Sequence, residues 1–136
     1  MATIKHFEDI EAWKTARQLT ILIYRFTEQG SFTKDFGLKD QIRRAVVSVM
    51  SNIAEGFESQ TQAQFVRFLG HAKASAGEAI SQLYVALDIR YLTKKQFEQA
   101  FELSDKVIRQ IQRFMAYLES HLESRCISEE QAEYNV

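Results

Sequence analysis

The scarcity of proline and glycine is the first constraint on this chain. It contains no proline and only five glycines in 136 residues, whereas sandwiches and barrels need these residues at their many tight turns. Hydrophobic residues make up 46% and aromatic residues 12%, which is too apolar for intrinsic disorder. The length suits a single domain. The composition therefore predicts one domain built from long helices.

The sequence also predicts that disulfides, a leader segment and membrane spans are absent. Cys126 is the single cysteine, so no internal disulfide can form. The first ten residues include charged side chains and lack the apolar stretch of a signal peptide. No apolar run is long enough to cross a bilayer. We expect a cytoplasmic protein that has no membrane partner.

The net charge of −1 comes from 17 basic and 18 acidic residues and is distributed unevenly. Residues 119–136 carry five glutamates against Arg125, a balance of −4 that leaves +3 on residues 1–118. A near-neutral chain gives no general signal for nucleic-acid binding. An acidic tail can cover a basic binding face, but we prefer a solvated chain end. We predict a folded domain over residues 1–124 and a polar acidic tail over residues 125–136 that is disordered or loosely ordered.

Four segments repeat apolar residues at intervals of three and four, the spacing that keeps one face of a helix on a core. Their approximate limits are Glu8 to Gln29, Leu38 to Glu58, Thr61 to Arg90 and Thr93 to Ser120. The last two begin with Thr-x-x-Gln, which is a capping-box signature. Helices of about 20 to 30 residues joined by short loops form bundles. The sequence predicts an all-α fold, an antiparallel up-down-up-down four-helix bundle.

The middle of the third segment, from Gly70 to Ala79, consists mostly of glycine, alanine and serine. Small side chains let a neighbouring backbone come close, so we predict the tightest helix crossing here. Gly70 and Gly77 each cost a helix about 1 kcal/mol relative to alanine, and close packing would offset that cost.

The segment from Gly30 to Gly37 is the least regular stretch of the predicted domain. Its Phe32 and Phe36, like Tyr84 on the third helix, could serve either the core or an interface. The sequence leaves both possibilities open, and it does not determine how many copies an assembly would hold.

Groups that carry catalysis are few. The three histidines form no Glu-x-x-His pair of the kind that di-iron bundles use. His71, Glu55 and Glu78 could make a three-ligand metal site, but we prefer a solvated or hydrogen-bonded histidine. Cys126 near His121 has nothing to orient it as a nucleophile, and no glycine-rich phosphate loop is present. We predict no enzymatic activity, no catalytic residue, no metal, no cofactor and no small-molecule substrate.

Polar residues recur at helical spacing on two of the predicted helices. On the second helix they are Arg44, Ser48, Ser51 or Asn52, Glu55 and Ser59, and on the third they are Lys73 or Ser75, Glu78 and Gln82. We prefer two solvated faces. The alternative is a polar network between helices or subunits that fixes their register. Its candidate members are Ser48, Asn52, Glu55 and Glu78.

A small group of basic residues is the candidate nucleic-acid site. Its members are Lys39, Arg43, Arg44, Arg67 and Lys73. Lysine and arginine side chains bind backbone phosphates. The nearby phenylalanines are better explained as core residues than as platforms for stacked bases. On a near-neutral chain, solvated charge is the default interpretation, and RNA binding is kept as the alternative.

The segment from Gln41 to Phe57, QIRRAVVSVMSNIAEGF, closely resembles the signature of the four-helix bundle proteins encoded in intervening sequences of bacterial 23S ribosomal RNA genes. Phe7 to Trp13, Phe65 to Leu69 and Tyr91 to Phe97 are also similar to that family, in the same order. The resemblance spans about residues 4 to 122. It implies a bacterial four-helix bundle that assembles as a homopentamer and has no assigned enzymatic activity.

That family is related to the accessory protein of diversity-generating retroelements, whose pentameric bundle binds RNA and a reverse transcriptase through a basic surface. By this resemblance, RNA would meet the region of Arg43 and Arg44. Two hypotheses follow. The first is a non-enzymatic homo-oligomer, a pentameric interaction scaffold of unknown cellular role, and the second is an RNA-binding accessory protein. The near-neutral charge and the acidic tail favour the first.

The absence of proline is itself a departure from this family, whose pattern usually has proline where this chain has Met50. Proline would remove a backbone N–H and kink the helix. With methionine there, we predict an unbroken second helix from Leu38 to about Glu58.

Overall fold

The computed structural model describes residues 4–121, and the predictions for the acidic tail lie outside these residues. Four α-helices fill most of the described part: α1 is Glu11–Thr27, α2 is Phe36–Glu58, α3 is Gln62–Asp88 and α4 is Lys94–Glu119. Short 3-10 helices, Phe7–Asp9 and Gly30–Lys34, precede α1 and α2. Each α-helix contacts the next, and α4 returns to pack on α1. With no strand among residues 4–121, the prediction of an all-α up-down bundle is confirmed.

The first predicted helix is interrupted near its start. Ile10 has an extended backbone (φ −74°, ψ 123°) between the 3-10 helix Phe7–Asp9 and α1. The Ile10 side chain is fully buried in the core. This burial outweighs the helical periodicity of the local sequence, so α1 begins at Glu11 rather than at Glu8.

The α1–α2 connection is more regular than the sequence suggests. Gly30 takes a positive φ of 53° and begins the turn that carries Phe32 into the core, where only 1% of Phe32 is exposed. The Phe32 and Tyr91 rings lie against each other, with centroids 5.1 Å apart. Of the three apolar positions left open by the sequence, Phe32 belongs to the core. Phe36 (68%) and Tyr84 (47%) are exposed.

Helix α2 is unbroken through Met50, as the absence of proline predicts. Asp35 caps its start, because Asp35 Oδ1 accepts a hydrogen bond from the Leu38 N–H at 3.1 Å. The Tyr91 hydroxyl donates to Asp35 Oδ2 at 2.9 Å. This hydrogen bond is the main reason why the pKa of Tyr91 is raised above its ordinary value. One carboxylate thus caps α2 and ties it to the α3–α4 connection.

Helices α3 and α4 begin at the two Thr-x-x-Gln sequences. At α4, Thr93 and Gln96 make the full reciprocal capping box. At α3, the Gln64 N–H donates to Thr61 Oγ1, while the Gln64 side chain accepts from the Gln60 N–H. The signature therefore locates both helix starts, and at α3 the return bond goes to the residue before the cap.

The glycine that permits a close helix contact is Gly56 on α2. A Cβ at Gly56 would lie 2.8 Å from Phe65 Cδ1 and 2.9 Å from Phe68 Cβ. At Gly70 the nearest atom would be at an ordinary 3.7 Å, and at Gly77 none lies within 4 Å. The expectation that close packing compensates Gly70 and Gly77 is therefore wrong. Buried alanines, not the glycines, supply the contact surface of that stretch.

The core consists of two clusters, one toward each end of the bundle. The first joins the start of α1 and α3 to the end of α2 and α4, and the second lies where the α1–α2 and α3–α4 connections are.

Within residues 4–121, no helix has both the length and the hydropathy that crossing a bilayer requires.

Candidate functional site

A polar groove follows the outer face of α2. It encloses about 600 Å³ and is lined by Tyr24 from α1 and, from α2, by Asp40, Arg43, Arg44, Val47, Ser48, Ser51, Asn52 and Glu55. The α2 residues recur at intervals of three and four, which places them on one side of the helix. Two basic and two acidic side chains line the groove, so its charge is balanced.

Two of the four predicted network residues meet in this groove. Asn52 Nδ2 donates to the Ser48 carbonyl oxygen and to Ser48 Oγ, both at 2.9 Å. Ser48 Oγ in turn lies 3.0 Å from Ser75 Oγ on α3. The other two residues lie apart from these bonds: Glu55 is exposed, and Glu78 bonds to a glutamine of its own helix. The network therefore ties α2 to α3 within one chain.

Arg43 is held in place between α1 and α2. Its Nε donates to Thr27 Oγ1 at 2.8 Å, and an Nη pairs with the Glu28 carboxylate. The guanidinium lies 4.2 Å from the centroid of the Tyr24 ring. The hydrogen bond from Arg43, followed by its charge and that of Lys39, lowers the pKa of Glu28. With 17% of its side chain exposed, Arg43 is a structural cation of this helix pair.

The remaining basic candidates do not converge on one patch. Lys39 donates to a carbonyl oxygen of the α1–α2 connection at 3.4 Å, and Lys73 lines a separate concavity between α3 and α4. In the sequence, Arg67 stands between Phe65 and Phe68, the two α3 residues that approach Gly56 of α2. Gly56 is twelve residues along α2 from Arg44, about 18 Å at the rise of a helix. Arg44 itself is exposed in the groove and forms no ion pair among residues 4–121.

The predicted metal alternative has no support in the described part of the chain. His71 is exposed on α3. Among residues 4–121, no three His, Cys, Asp or Glu side chains are grouped so that they could share a metal ion. His71, Glu55 and Glu78 are all within this range and do not form such a group. Cys126 lies outside it.

Exposed apolar side chains gather on two outer faces of the bundle. The first face, here named the α1–α2 patch, is formed by Ile21, Tyr24 and Val47, which are 38% to 45% exposed. Ile21 and Tyr24 line a shallow concavity of about 590 Å³ on α1, and Tyr24 and Val47 line the polar groove. The second group, the α3 patch, is formed by Tyr84, Val85 and Ile89 near the end of α3, which are 46% to 48% exposed, and its Tyr84 ring packs against Phe97 of α4. Sequence reasoning singled out Tyr84 alone, although all six residues fall outside the apolar rows that mark the core.

Comparisons with known proteins identify the family of this chain. The family model described as 23S rRNA-intervening sequence protein matches residues 8–113. The chain belongs to this family. A similar solved structure is described as a protein with unknown function from the S23 ribosomal protein family of Bacteroides thetaiotaomicron VPI-5482, with 23% sequence identity and a TM-score of 0.65. The alignment covers 83% of this chain and 99% of that one, and at this identity the likeness shows the fold. A search of the curated proteins gives no match.

In this family member, the signature from Gln41 to Phe57 lies on α2 and packs that helix against both neighbours. Arg43 joins α2 to α1, Ser48 joins it to α3, and Gly56 admits the phenylalanine rings of α3. Arg44, next to the structural arginine, takes no part in these contacts. The segment from Gln41 to Phe57, by which the family is recognised, therefore packs α2 against its neighbours. The exposed side of the same segment, which includes Arg44, faces the polar groove.

Proposed function

We propose that this family member is a non-enzymatic, self-assembling helical bundle that serves as an interaction scaffold in the cytoplasm. The observation that supports self-assembly is the exposed apolar surface of the α1–α2 patch and the α3 patch. Isolated exposed apolar side chains are common on soluble proteins, but contiguous groups mark sites of protein–protein contact. Arg43 and the Ser48–Asn52–Ser75 network make their contacts within one chain, so we assign contacts between copies to the two apolar patches.

The number of copies that we propose is five, as the family resemblance implies. Sedimentation velocity and light scattering at micromolar concentration test both parts of this proposal. We expect one species with five times the 15.8 kDa mass of the chain. A monomer would contradict self-assembly, whereas a stable species of another size would contradict only the number five.

A second candidate function is RNA binding, which the resemblance to retroelement accessory proteins implies. The observation that favours it is the exposed Arg44 guanidinium, which shares the polar groove with two serines and an asparagine. Arginine, hydroxyl and amide groups are common donors to phosphate oxygens. Two carboxylates of the same groove weaken the attraction, which is why this function stands second.

Binding to fragments of 23S ribosomal RNA, measured at about 50 to 200 mM salt, tests the second function. If Arg44 contacts phosphate, Arg44→Ala should weaken binding and lower the salt slope by about one. Arg109→Ala is a matched control, because Arg109 is an exposed arginine of α4 that pairs with Asp105. RNA binding that is equally strong in Arg44→Ala and Arg109→Ala would contradict an RNA site in the groove.

A further inference from the structure

The outer face of α1 is apolar at its centre and basic on both sides. Arg17 and Arg25 lie four residues before and after Ile21, which places all three side chains on one side of the helix. Both arginines are exposed, and neither forms an ion pair among residues 4–121. Tyr24 and Val47 extend the apolar centre toward α2. Glu28 lines the same concavity as Ile21 and Arg25, but its carboxylate is paired with Arg43, and Arg17 lies over the Trp13 ring. The α1–α2 patch is therefore an apolar surface flanked by two arginines that form no ion pair among residues 4–121.

The outer face at the end of α3 has the opposite charge. Glu78, Val85 and Asp88 follow one another at helical spacing, with Ile89 beside them. The two acids are exposed, and neither forms an ion pair in the described part of the chain. No basic residue lies between Glu78 and Asp88 in the sequence. Arg90 follows Ile89 and is exposed just beyond the end of α3, so the α3 patch is apolar and carries two acids against one base.

We infer that the α1–α2 patch of one copy packs against the α3 patch of a second copy, so that the copies join head to tail. This inference rests on the proposed self-assembly and adds which surfaces meet. Arg17 and Arg25 are about 12 Å apart along α1, and Glu78 and Asp88 are about 15 Å apart along α3, at the rise of a helix. Arginine and glutamate side chains are long enough to absorb that difference. Two acid–base pairs can thus flank one apolar contact.

The same charges disfavour a symmetric contact between like patches. Two α1–α2 patches would bring together four arginines that form no ion pair among residues 4–121, and two α3 patches would bring together four carboxylates against two arginines, so like charge predominates in both pairings. A contact between unlike patches leaves one patch of each kind unused at the ends of an open chain of copies. Closing a ring buries both. The partner that fits each patch is therefore a second copy of this chain.

Two variants that each lose one patch test the inference by complementation. Ile21→Glu places a carboxylate opposite the acidic α3 patch, and the double variant Val85→Gln with Ile89→Gln removes the apolar centre of that patch. Each should associate roughly tenfold to hundredfold more weakly than the unaltered chain and sediment as a monomer. An equimolar mixture should form a one-to-one dimer through the single contact whose two patches are intact. Circular dichroism verifies that these variants, altered at exposed positions, remain folded.

The control is Phe36→Glu, which changes a residue that is 68% exposed and belongs to neither patch. This variant should assemble like the unaltered chain. If either patch variant also assembles fully, or if the mixture stays monomeric, the head-to-tail contact is wrong while self-assembly itself stands. A monomeric unaltered chain would overturn the proposed function as well.

Charge reversal gives an independent test that does not alter the apolar centres. Arg17→Glu with Arg25→Glu, and separately Glu78→Lys with Asp88→Lys, should each weaken association. A chain with all four charges reversed should regain association, because opposite charges face each other again. Added salt should weaken association of the unaltered chain. If the fourfold variant associates no better than either double variant, the charge complementarity is refuted.

Discussion

Replacing Gly56 with alanine should destabilise the bundle, although alanine is the better helix former. Its Cβ would lie 2.8 Å from Phe65 Cδ1 and 2.9 Å from Phe68 Cβ, whereas carbon atoms in contact prefer about 3.5 to 4.0 Å. The Phe65 ring is fully buried and packs edge-on against Phe57 and Phe114, with centroids 6.2 and 5.3 Å away. Because that ring has no free space, α2 and α3 must separate to admit the methyl group.

Two contributions of opposite sign set the size of this effect. Overpacking a core costs about 1 to 3 kcal/mol, and exchanging a helical glycine for alanine returns about 1 kcal/mol. Gly77→Ala has the gain in helix propensity without the overpacking, since nothing lies within 4 Å of its added Cβ. The difference between the two variants isolates the overpacking. We therefore expect Gly56→Ala to be less stable than Gly77→Ala by about 1 to 3 kcal/mol.

Urea unfolding followed by circular dichroism measures this difference. All variants are compared at one protein concentration, because self-assembly stabilises the folded state by mass action. With a slope of about 1 to 3 kcal/mol per molar urea, the two midpoints should differ by on the order of 1 M. Gly70→Ala, with its ordinary 3.7 Å contact, should behave like Gly77→Ala. Equal midpoints for Gly56→Ala and Gly77→Ala would refute the close approach at Gly56.

Three further predictions concern single side chains and can be checked by the same unfolding assay. Arg43→Ala should lower the free energy of unfolding by about 1 to 2 kcal/mol, because it removes the hydrogen bond to Thr27 and the contact with the Tyr24 ring. Arg44→Ala should change the free energy of unfolding by less than about 0.5 kcal/mol. Equal losses in the two variants would contradict the structural role of Arg43. The raised pKa of Tyr91 means that its bond to Asp35 stabilises the fold below pH 10.0, the ordinary tyrosine pKa, and that this gain disappears as the pH rises through the raised value. The difference in the free energy of unfolding between the unaltered chain and Tyr91→Phe should therefore shrink in strong alkali. A difference that stays constant with pH would contradict a stabilising Tyr91–Asp35 hydrogen bond. Gln110→Leu should stabilise the bundle by about 1 kcal/mol, because the buried Gln110 Oε1 has no hydrogen-bond partner among residues 4–121; a lower urea midpoint would show that this oxygen is satisfied.

The helices and their caps could be predicted because the signals are local. Apolar spacing depends on the geometry of one helix, and the Thr93–Gln96 box lies within four residues. The unbroken α2 could be predicted because position 50 holds methionine, which does not interrupt a helix as proline does. The break at Ile10 could not be predicted in this way, because the burial of its side chain against other helices decides it.

The candidate site was harder to predict because it depends on which side of a helix meets a neighbour. Arg43 and Arg44 are adjacent in sequence but point about 100° apart on a helix. One is therefore held by α1 while the other is free in the groove. Gly56 and Gly77 differ for the same reason, since only Gly56 faces aromatic rings across a helix pair. Neither distinction exists until the neighbouring helix is in place.

The most direct test of head-to-tail assembly is cross-linking between Ile21 of one copy and Val85 of the next. In a Cys126→Ser background, a chain with both Ile21→Cys and Val85→Cys is treated with a bifunctional maleimide, alongside the two single-cysteine chains. We predict that the double-cysteine chain gives a ladder of covalent multimers that ends at the number of copies in the ring. The single-cysteine chains should remain monomeric on the denaturing gel. Dimers from either single-cysteine chain, or no ladder from the double one, would contradict the contact.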